Sequence, residues 1–420
     1  MEKIFVKGGR RLCGEIAVGG MKNAALPILF ASILAQDRCV IRNLPPVSDV
    51  ALSLDILRAI GAQVSYLSCT EVVIDTRGVM PCISPYDLDN RMRGSYYLIG
   101  AELGRFGRAR VGWPGGCNFG DRPLDQHMKG FEALGATVHT ENGYIVANAP
   151  EGLLGTTVYL DVPSVGATIN ILLAAVTAPG TTVIENAARE PHVADVADFL
   201  SACGAHIEGA GSGTIRIEGV RRLHGCTFTV VSDMIEAGTY MAAVAAAGGE
   251  VVLHNVVPEH MESVTAKLCE MGVVVREEGD RTLVVSSDGP LMHINIKTFF
   301  YPGFPNDMKP QFAPLLCRAD GISTISEGVW SNRFRYVEEL RKMGANIAVD
   351  GTTATFVGNC RLQGARVVAV DLRAGAAMII AGLIADGVTE ISNIEVIDRG
   401  FYDIVGKLTH LGADIRRVNE

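Results

Sequence analysis

The chain has 420 residues, 48% hydrophobic and 20% charged, as in a folded globular protein rather than a disordered one. This length exceeds what one ordinary hydrophobic core organises, so we expect two domains. With 37 basic and 46 acidic residues the net charge is −9, which argues against general binding of nucleic acid or anionic membranes. Local clusters of basic residues still allow an anionic small substrate.

Cysteine usage and hydropathy point to the cytoplasm. The long apolar stretches, such as residues 375–385, are shorter than the roughly 18 residues of a membrane helix, and the first residues show no secretory pattern. The ten cysteines form no CxxC pair and stand in unlike contexts. This pattern predicts reduced, mostly buried thiols rather than a disulfide framework or a zinc site.

A helix ending close to Leu-x-x-x-Gly-Ala recurs along the chain, with Phe131 in place of Leu in one copy and Val273 in place of Ala in another. Each copy places Gly where a helix terminates with positive φ, and a β-rich segment follows. Six copies spaced by about seventy residues indicate an internal repeat. The glycines are Gly61, Gly135, Gly204, Gly272, Gly344 and Gly412.

Each repeat also contains an almost uncharged, alanine-rich helix, which must be buried because it is apolar on every side. A unit is therefore predicted as strand, buried helix, strand, exposed helix and further strands. Three units could share one set of buried helices, which gives two α/β domains of three units each. A generic doubly wound fold would not explain the equal spacing. The predicted buried helices include residues 23–35, 167–178, 237–247, 312–319 and 374–385.

The first candidate functional segment is Gly-Gly-Met-Lys-Asn at residues 19–23, at the head of an apolar helix. Backbone N–H groups and the helix dipole there favour an anion, and Lys22 adds a full positive charge. An ordinary helix start with a solvated lysine is an equally good interpretation.

The second is a loop at residues 113–127 that contains Gly115, Gly116 and Gly120. Cys117 lies five residues before Arg122, and a thiol beside cations can act as an acid or a nucleophile. Packing is the alternative for a single cysteine, but the polar, glycine-rich neighbours disfavour it. His127 is interpreted as a capping or packing residue rather than a catalytic one.

The third is Tyr-Pro-Gly-Phe-Pro-Asn-Asp-Met at residues 301–308, a rigid loop before a buried helix. Asp307 is either the N-cap of that helix or a general base, and the residue pattern alone favours the cap.

Arginines occupy similar points of different repeats. Arg93 and Arg373 precede buried helices, and Arg399 lies in an Ile-Asp-Arg-Gly turn. Such arginines need anionic partners, either the internal carboxylates Asp371 and Asp398 or a ligand. Together with the lysine and arginine of the first two segments, these cations outnumber nearby acids. The surplus suggests a substrate that carries phosphate and carboxylate groups.

With these motifs the chain resembles the enolpyruvyl transferases, over its whole length, and within them the branch whose acceptor is UDP-N-acetylglucosamine. The branch that acts on shikimate 3-phosphate lacks the Pro-Gly-Gly-Cys segment. The matching motifs are Lys-Asn-Ala-Ala-Leu-Pro at 22–27, Pro-Gly-Gly-Cys at 114–117, Arg-Pro at 122–123, Ser-Val-Gly-Ala-Thr at 164–168, Glu-Asn-Ala-Ala-Arg-Glu-Pro at 185–191, Phe-Pro-Asn-Asp-Met at 304–308, Asn-Arg-Phe at 332–334 and Asp-Leu-Arg-Ala at 371–374.

The resemblance implies an α/β fold of two inverse α/β domains, each of three βαβαββ repeats around buried helices. The first domain would be residues 22–231, the second residues 1–21 with 232–420, and the active site would lie in the cleft between them. The implied reaction transfers the enolpyruvyl group of phosphoenolpyruvate to the 3′-hydroxyl of UDP-N-acetylglucosamine by addition–elimination and releases phosphate. This is the first committed step of peptidoglycan precursor synthesis.

The resemblance also assigns residue roles. Lys22, Arg122 and Arg399 would hold the phosphate and Arg373 the carboxylate. Cys117 would donate a proton, and Asp307 would accept one from the hydroxyl or orient it. The remaining substrate contacts would be Asn23 and Val329 to the sugar, and Arg93, Arg122, Pro123, Leu124, Asp125, Gln126, Ser164, Val165 and Gly166 to the uridine diphosphate.

The resemblance implies no metal or organic cofactor. The expected partners are the two substrates, with no nucleic acid or membrane. The protein is expected to be a monomer or a weak homo-oligomer. Two alternatives differ in function: a transferase for another acceptor such as shikimate 3-phosphate, and a degenerate paralogue that only binds UDP-sugars. The retained acid–base residues argue against the second. The chain departs from the family pattern outside the catalytic set, at Ser48, Val162, Met234, Ser331 and Val396.

The placement of Cys117 on a cationic loop generates a first prediction. Its thiol should be alkylated by fosfomycin, an epoxide that mimics phosphoenolpyruvate, in the presence of UDP-N-acetylglucosamine. Mass spectrometry of the digested protein should locate the adduct on Cys117. An unmodified Cys117 peptide would count against this assignment.

Overall fold

A computed structural model describes residues 2–81, 84–115, 124–329 and 334–419. Contacts divide the chain into two compact units, here called the first unit (Gly20–Val231) and the second unit (the chain up to Gly19 and from Ser232 onward). None of the helices in the described ranges combines the length and apolar character needed to span a bilayer.

Short strands alternate with helices throughout both units. The described strands are β1 (Glu2–Lys7), β2 (Leu12–Ala17), β3 (Arg38–Arg42), β4 (Gln63–Ser68), β5 (Glu71–Asp75), β6 (Arg108–Gly112), β7 (Thr137–Glu141), β8 (Tyr144–Asn148), β9 (Thr157–Tyr159), β10 (Thr181–Glu185), β11 (His206–Glu208), β12 (Thr214–Glu218), β13 (Thr227–Thr229), β14 (Gly249–His254), β15 (Val274–Glu277), β16 (Thr282–Ser287), β17 (Asn295–Lys297), β18 (Ile322–Ser326), β19 (Asn346–Asp350), β20 (Thr353–Val357), β21 (Arg366–Val368), β22 (Val388–Ser392) and β23 (Asp414–Asn419).

The helices connect these strands. They are α1 (Lys22–Ala35), α2 (Ser48–Ala59), α3 (Tyr86–Asp89), α4 (Tyr97–Phe106), α5 (Asp125–Ala133), α6 (Val165–Ala175), α7 (Pro191–Ala202), α8 (Met234–Ala247), α9 (Glu262–Glu270), α10 (Lys309–Arg318), α11 (Tyr336–Lys342), α12 (Leu372–Ile384) and α13 (Ile404–His410). Short 3₁₀ turns include Arg93–Tyr96 and Asn306–Met308.

The sheets repeat one pairing pattern, in which a parallel pair is extended by two antiparallel strands. The strand orders are β13-β3-β5-β4 and β9-β10-β12-β11 in the first unit, and β2-β14-β16-β15, β17-β18-β20-β19 and β21-β22-β1-β23 in the second. Within the described residues, a further sheet, β6-β8-β7, keeps the antiparallel part of this pattern. The predicted α/β repeat is confirmed.

Three helices in each unit are almost entirely buried. In the first unit, α1 packs on α4 and α4 on α6, and in the second α10 packs on α8 and α12. Helices α1, α6, α8 and α12 are predominantly apolar, as expected for helices that neighbouring elements cover on every side. The prediction of buried alanine-rich helices is therefore confirmed.

The repeated Gly-Ala endings share one backbone geometry. The glycines at 61, 135, 204, 272, 344 and 412 have φ between +90° and +106°. In each copy the N–H of the residue after Gly donates to the carbonyl five residues back, as Ala62 does to Leu57 at 2.9 Å. This is the Schellman closure of a helix, and a side chain at the glycine would be strained.

Two buried carboxyl groups lie at the stem of the 113–127 loop. Asp89 Oδ2 accepts the N–H of Gly112 at 2.8 Å, and burial raises the pKa of Asp89 to about 6. Burial also raises the pKa of Glu102 in α4 to about 8, opposed by the Arg110 backbone N–H. Glu102 is therefore mostly protonated at neutral pH.

Glu102 generates a prediction about pH and stability. In the unfolded chain Glu102 loses its proton near pH 4.5, whereas in the folded protein it does so near pH 8. Between these values the folded state holds one more proton, so stability falls as pH rises, by about a tenfold change in the unfolding constant per pH unit. In thermal unfolding from pH 5 to 9, Glu102→Gln should therefore gain stability relative to wild type up to about pH 8 and then hold that gain. The exposed Glu132→Gln is the control, and parallel curves for Glu102→Gln and wild type would contradict the prediction.

Candidate active site

The start of helix α1 is a partly buried ionic site in the first unit. Lys22 Nζ lies 3.0 Å from Asp49 Oδ2 in the first turn of α2, and the two side chains are only 11% and 6% exposed. Lys22 is therefore not the solvated lysine of an ordinary helix start. No side chain caps α1 among the described residues, so the helix dipole and Lys22 both favour an anion there. Asn23 is the next residue of the same turn.

A second cluster joins Arg93 to the start of α6. The Arg93 guanidinium lies 5.7 Å from the ring of Tyr96, whose ring meets the His127 ring edge-on at 4.9 Å. Gly166 lies directly against both rings, because an added Cβ would stand 2.8 Å from the Tyr96 hydroxyl and from His127 Cε1. The Ser164 hydroxyl caps α6 by accepting the Ala167 N–H at 3.3 Å. The structure thus places Arg93 and Gly166, two predicted substrate contacts from different repeats, against the same Tyr96 side chain.

His127 supports this cluster as a neutral ring. Asn170 Nδ2 lies 2.9 Å from His127 Nδ1, and Asn170 Oδ1 accepts the Gly100 N–H at 3.0 Å. Burial, and secondarily the charge of Arg93, lower the pKa of His127 to about 3. The interpretation of His127 as a packing residue rather than an acid–base group agrees with this geometry.

Gln126 ties the start of α5 to the segment that leads into α6. Its Nε2 donates to Asp161 Oδ2 at 3.0 Å, while its Oε1 accepts the Asp161 N–H at 2.9 Å. Leu124 is buried and Asp125 accepts a second hydrogen bond from Gln126. Val162, which departs from the family pattern, is 52% exposed. Cys117, Arg122 and Pro123 lie outside the described residues.

In the second unit, Asp307 and Arg373 form an ion pair between two buried-helix starts. Arg373 Nε and Nη2 each lie 3.1 Å from Asp307 Oδ2. Arg373 is 5% exposed, and its Nη1 is buried without a hydrogen-bond partner in the part of the chain that the structure describes. A buried donor without a partner carries a desolvation cost that an incoming anion would remove.

Two expectations about these residues are wrong. Asp307 does not cap the following helix, because it lies inside the 3₁₀ turn and the N-cap position of α10 is Met308. Asp371 is not the partner of the Arg373 guanidinium but the N-cap of α12, whose carboxylate accepts the N–H groups of Arg373 and Ala374 at 2.9 Å. Asp398, the other proposed internal partner, binds Arg417 at 2.7 Å.

Arg399 lies in a turn packed against the start of α12. Gly400 approaches Leu372 so closely that an added Cβ would stand 2.6 Å from Leu372 Cδ2, and the following Phe401 ring lies 5.6 Å from the Arg373 guanidinium. The turn that carries the half-buried Arg399 therefore lies beside the start of α12, which carries Arg373.

A buried ion pair that the sequence analysis missed supports the Asp307 turn. Glu327 Oε2 lies 2.5 Å from Lys309 Nζ, and these side chains are 2% and 0% exposed. Glu327 Oε1 accepts hydrogen bonds from Thr298 Oγ1 at 2.8 Å, Asn306 Nδ2 at 2.6 Å and the Val329 N–H at 2.9 Å. One carboxylate thus fixes the residues on both sides of Asp307 and the backbone of Val329.

The charge on Glu327 is maintained by its partners. Burial acts to raise the pKa of Glu327, but Lys309 and the donated hydrogen bonds outweigh burial and lower the pKa. The available sequence signal was Lys309 itself, because a lysine at the head of a buried helix needs an anion. Its partner is eighteen residues away and carries no local motif.

The repeated sheets define a repeat-built α/β protein, in which cationic side chains lie at the starts of buried helices. The family model described as EPSP synthase (3-phosphoshikimate 1-carboxyvinyltransferase) matches residues 6–408. The chain therefore belongs to this family of enolpyruvyl transferases.

Curated relatives resemble the chain over its full length. It is 52% identical over 420 residues to UDP-N-acetylglucosamine 1-carboxyvinyltransferase 3 of Caldanaerobacter subterraneus subsp. tengcongensis, covering 100% of both chains. It is 51% identical over 419 residues to UDP-N-acetylglucosamine 1-carboxyvinyltransferase of Clostridium botulinum, again covering 100% of both.

Solved structures share the fold. The enolpyruvyl transferase NikO from Streptomyces tendae matches with a TM-score of 0.89 and 28% identity, over 99% of each chain. EPSP synthase from Acinetobacter baumannii matches with a TM-score of 0.77 over 100% of each chain, and at 20% identity it supports the fold alone.

The Lys309–Glu327 pair generates a stability prediction. Lys309→Met leaves a buried carboxylate without its counter-charge, so we expect a loss of about 3–5 kcal/mol in the free energy of unfolding. The double variant Lys309→Met/Glu327→Gln removes both charges and should lose less. The exposed Lys129–Asp161 pair provides the control, because Lys129→Met should cost only about 0–1 kcal/mol. Urea denaturation of the four proteins measures these differences, and equal losses for the two single variants would contradict the prediction.

Proposed function

We propose that this chain transfers the enolpyruvyl group of phosphoenolpyruvate to the 3′-hydroxyl of UDP-N-acetylglucosamine and releases phosphate. The observation that carries the proposal is Arg373, a buried guanidinium that holds Asp307 with one edge and keeps Nη1 unsatisfied among the described residues. This is a carboxylate-binding group beside an acid–base group. The names of full-length relatives support the choice of acceptor.

The cations serve the two anionic groups of phosphoenolpyruvate. Arg373 binds the carboxylate, and Lys22 and Arg399, together with Arg122, bind the phosphate. Lys22 stands at a helix start, where the backbone dipole adds to its charge. Such groups stabilise negative charge as it moves from the carboxyvinyl carbon skeleton to the departing phosphate.

Asp307 acts on the acceptor hydroxyl. Its Oδ2 accepts hydrogen bonds from Arg373 Nε and Nη2, which leaves Nη1 of Arg373 for the substrate carboxylate. Arg373 thereby holds the Asp307 carboxylate beside the bound phosphoenolpyruvate, where it can take the hydroxyl proton. The buried Glu327, which holds Asn306 and Val329, keeps this turn in position.

The chemistry is an addition followed by an elimination. The hydroxyl oxygen bonds to C2 of phosphoenolpyruvate and gives its proton to Asp307, while C3 gains a proton from Cys117. The tetrahedral ketal then loses a C3 proton and phosphate, which restores the double bond. Cys117 takes this role from the resemblance alone.

The nucleotide end uses neutral and cationic groups of the first unit. Arg93 and the N-terminus of α6, at Ser164 to Gly166, suit the diphosphate, because both offer hydrogen-bond donors and positive charge. Asn23 and Val329 contact the sugar. This reaction would supply peptidoglycan precursors in the cytoplasm, by a monomer or weak homo-oligomer that needs no cofactor.

Phosphate release tests the acceptor. Purified protein is given phosphoenolpyruvate with UDP-N-acetylglucosamine, with shikimate 3-phosphate, or with no acceptor. Release with the UDP-sugar only is the expected result. Release with shikimate 3-phosphate would identify the other branch of the family, and release with neither acceptor would reject the proposal in favour of a binding paralogue.

Asp307 provides a second test. Asp307→Ala removes the proton acceptor and should lower turnover about 10²–10⁴-fold while the circular dichroism spectrum stays unchanged. Asp350→Ala, an exposed aspartate of the same unit, should turn over normally. Near-normal turnover of Asp307→Ala would exclude a catalytic role for this residue.

A further inference from the structure

Three cysteines from separate elements of the first unit meet in space. Cys39 lies in β3, Cys203 ends helix α7 and Cys226 immediately precedes β13. Their sulfur atoms all lie within 4.8 Å of one another, and Cys203 Sγ is 3.3 Å from Cys226 Sγ. Cys39 and Cys203 are buried, whereas Cys226 is half-buried and partly accessible to solvent.

The backbone holds these cysteines in place without help from the sulfurs. The Val40 N–H donates to the Cys226 carbonyl at 2.8 Å, in the parallel pairing of β3 with β13. The His224 N–H donates to the Cys203 carbonyl at 2.9 Å. The three thiols are therefore preorganised by a sheet and a helix end, which lowers the cost of binding a ligand at this point.

The three sulfur atoms form a donor set of one chemical kind. Thiolate is the form that binds soft metal ions.

We propose that Cys39, Cys203 and Cys226 form a binding site for a thiophilic d¹⁰ metal ion, Zn²⁺ or Cu⁺. Three sulfurs about 2.3 Å from one ion are roughly 3.8–4.0 Å apart, a distance between the 3.3 Å that separates Cys203 Sγ from Cys226 Sγ and the 4.8 Å limit, so little movement is needed. Each thiol that binds releases its proton to solvent. Zn²⁺ with three thiolates carries a net charge of −1 and takes a fourth ligand, whereas Cu⁺ is satisfied by three sulfurs.

A fourth ligand from solvent can reach the cluster at the half-buried Cys226, and a water molecule there can complete a tetrahedral Zn²⁺ site. A bound ion would join β3, β13 and the end of α7, and so stabilise the first unit.

Metal titration of the full-length protein tests the site. The background is Cys117→Ser, so that the Cys117 thiolate adds no signal. Protein freed of metal by a chelator under reducing conditions is titrated with Co²⁺ as a spectroscopic probe, then with Zn²⁺ in competition, and anaerobically with Cu⁺. We expect one equivalent of Co²⁺ with thiolate charge-transfer absorption. Displacement by Zn²⁺ or by Cu⁺ at a lower concentration identifies the preferred ion.

Substitutions assign the ligands. Cys226→Ser, Cys203→Ser and Cys39→Ala should each weaken binding by at least about tenfold, as expected for loss of a ligand. Cys317→Ala is the matched control, because Cys317 is a buried cysteine of the second unit, and it should bind normally. Metal should raise the melting temperature of the background protein and of the control by linkage, but not that of Cys226→Ser.

Three results would overturn the proposal. The first is no stoichiometric binding of any of the three ions. The second is unchanged binding in Cys226→Ser. Because Cys226 is half-buried, this variant carries the smallest risk of misfolding among the three cysteine variants. The third is a metal-free protein in which Cys203 and Cys226 are joined by a disulfide on non-reducing mass spectrometry.

Discussion

The structure depends on the burial of three helices in each unit from every side. Helices α1, α4 and α6, and likewise α8, α10 and α12, pack against one another and against the sheets. A helix in this position cannot carry charge along its length, because an unpaired charge in the interior costs far more than burial of the helix returns. Ionised side chains of the candidate site therefore lie at the ends of these helices, whereas Glu102 within α4 is mostly protonated at neutral pH.

That confinement explains where the candidate residues lie. Lys22, Ser164 and Arg373 are each within one residue of the start of a buried helix, and Asp307 is two residues before another. Helix starts present N–H groups and positive potential, so an anionic substrate is favoured at the same positions where polar side chains can stand. The fold and the site thus follow from one constraint.

Charges that do enter the interior are matched inside it. Lys309 at the start of α10 is fully buried, and Glu327 neutralises it while accepting hydrogen bonds from the loops beside Asp307. The pair therefore combines a structural need with positioning of the candidate site. His127 is the neutral counterpart, because burial removes its charge and Asn170 supplies its hydrogen bond.

The sequence by itself determined the repeat, the buried helices and most candidate residues, because these depend on local chemistry. Glycine at a helix end, an uncharged apolar segment and an arginine before it each have a meaning within a few residues. The side-chain partners were decided only by the tertiary structure. Asp307 pairs with Arg373 across 66 residues of sequence. Asp371, which the sequence offered as an internal partner of Arg373, instead caps helix α12.

The cysteines show the same division most plainly. Their spacing has no motif, and the sequence predicted scattered thiols, yet pairing of β3 with the distant β13 brings Cys39 beside Cys203 and Cys226. Local propensity specifies an element, but only packing of elements far apart in the chain specifies which side chains meet. The ion-pair partners of Lys22, Lys309 and Arg373 were beyond sequence reasoning for that physical reason.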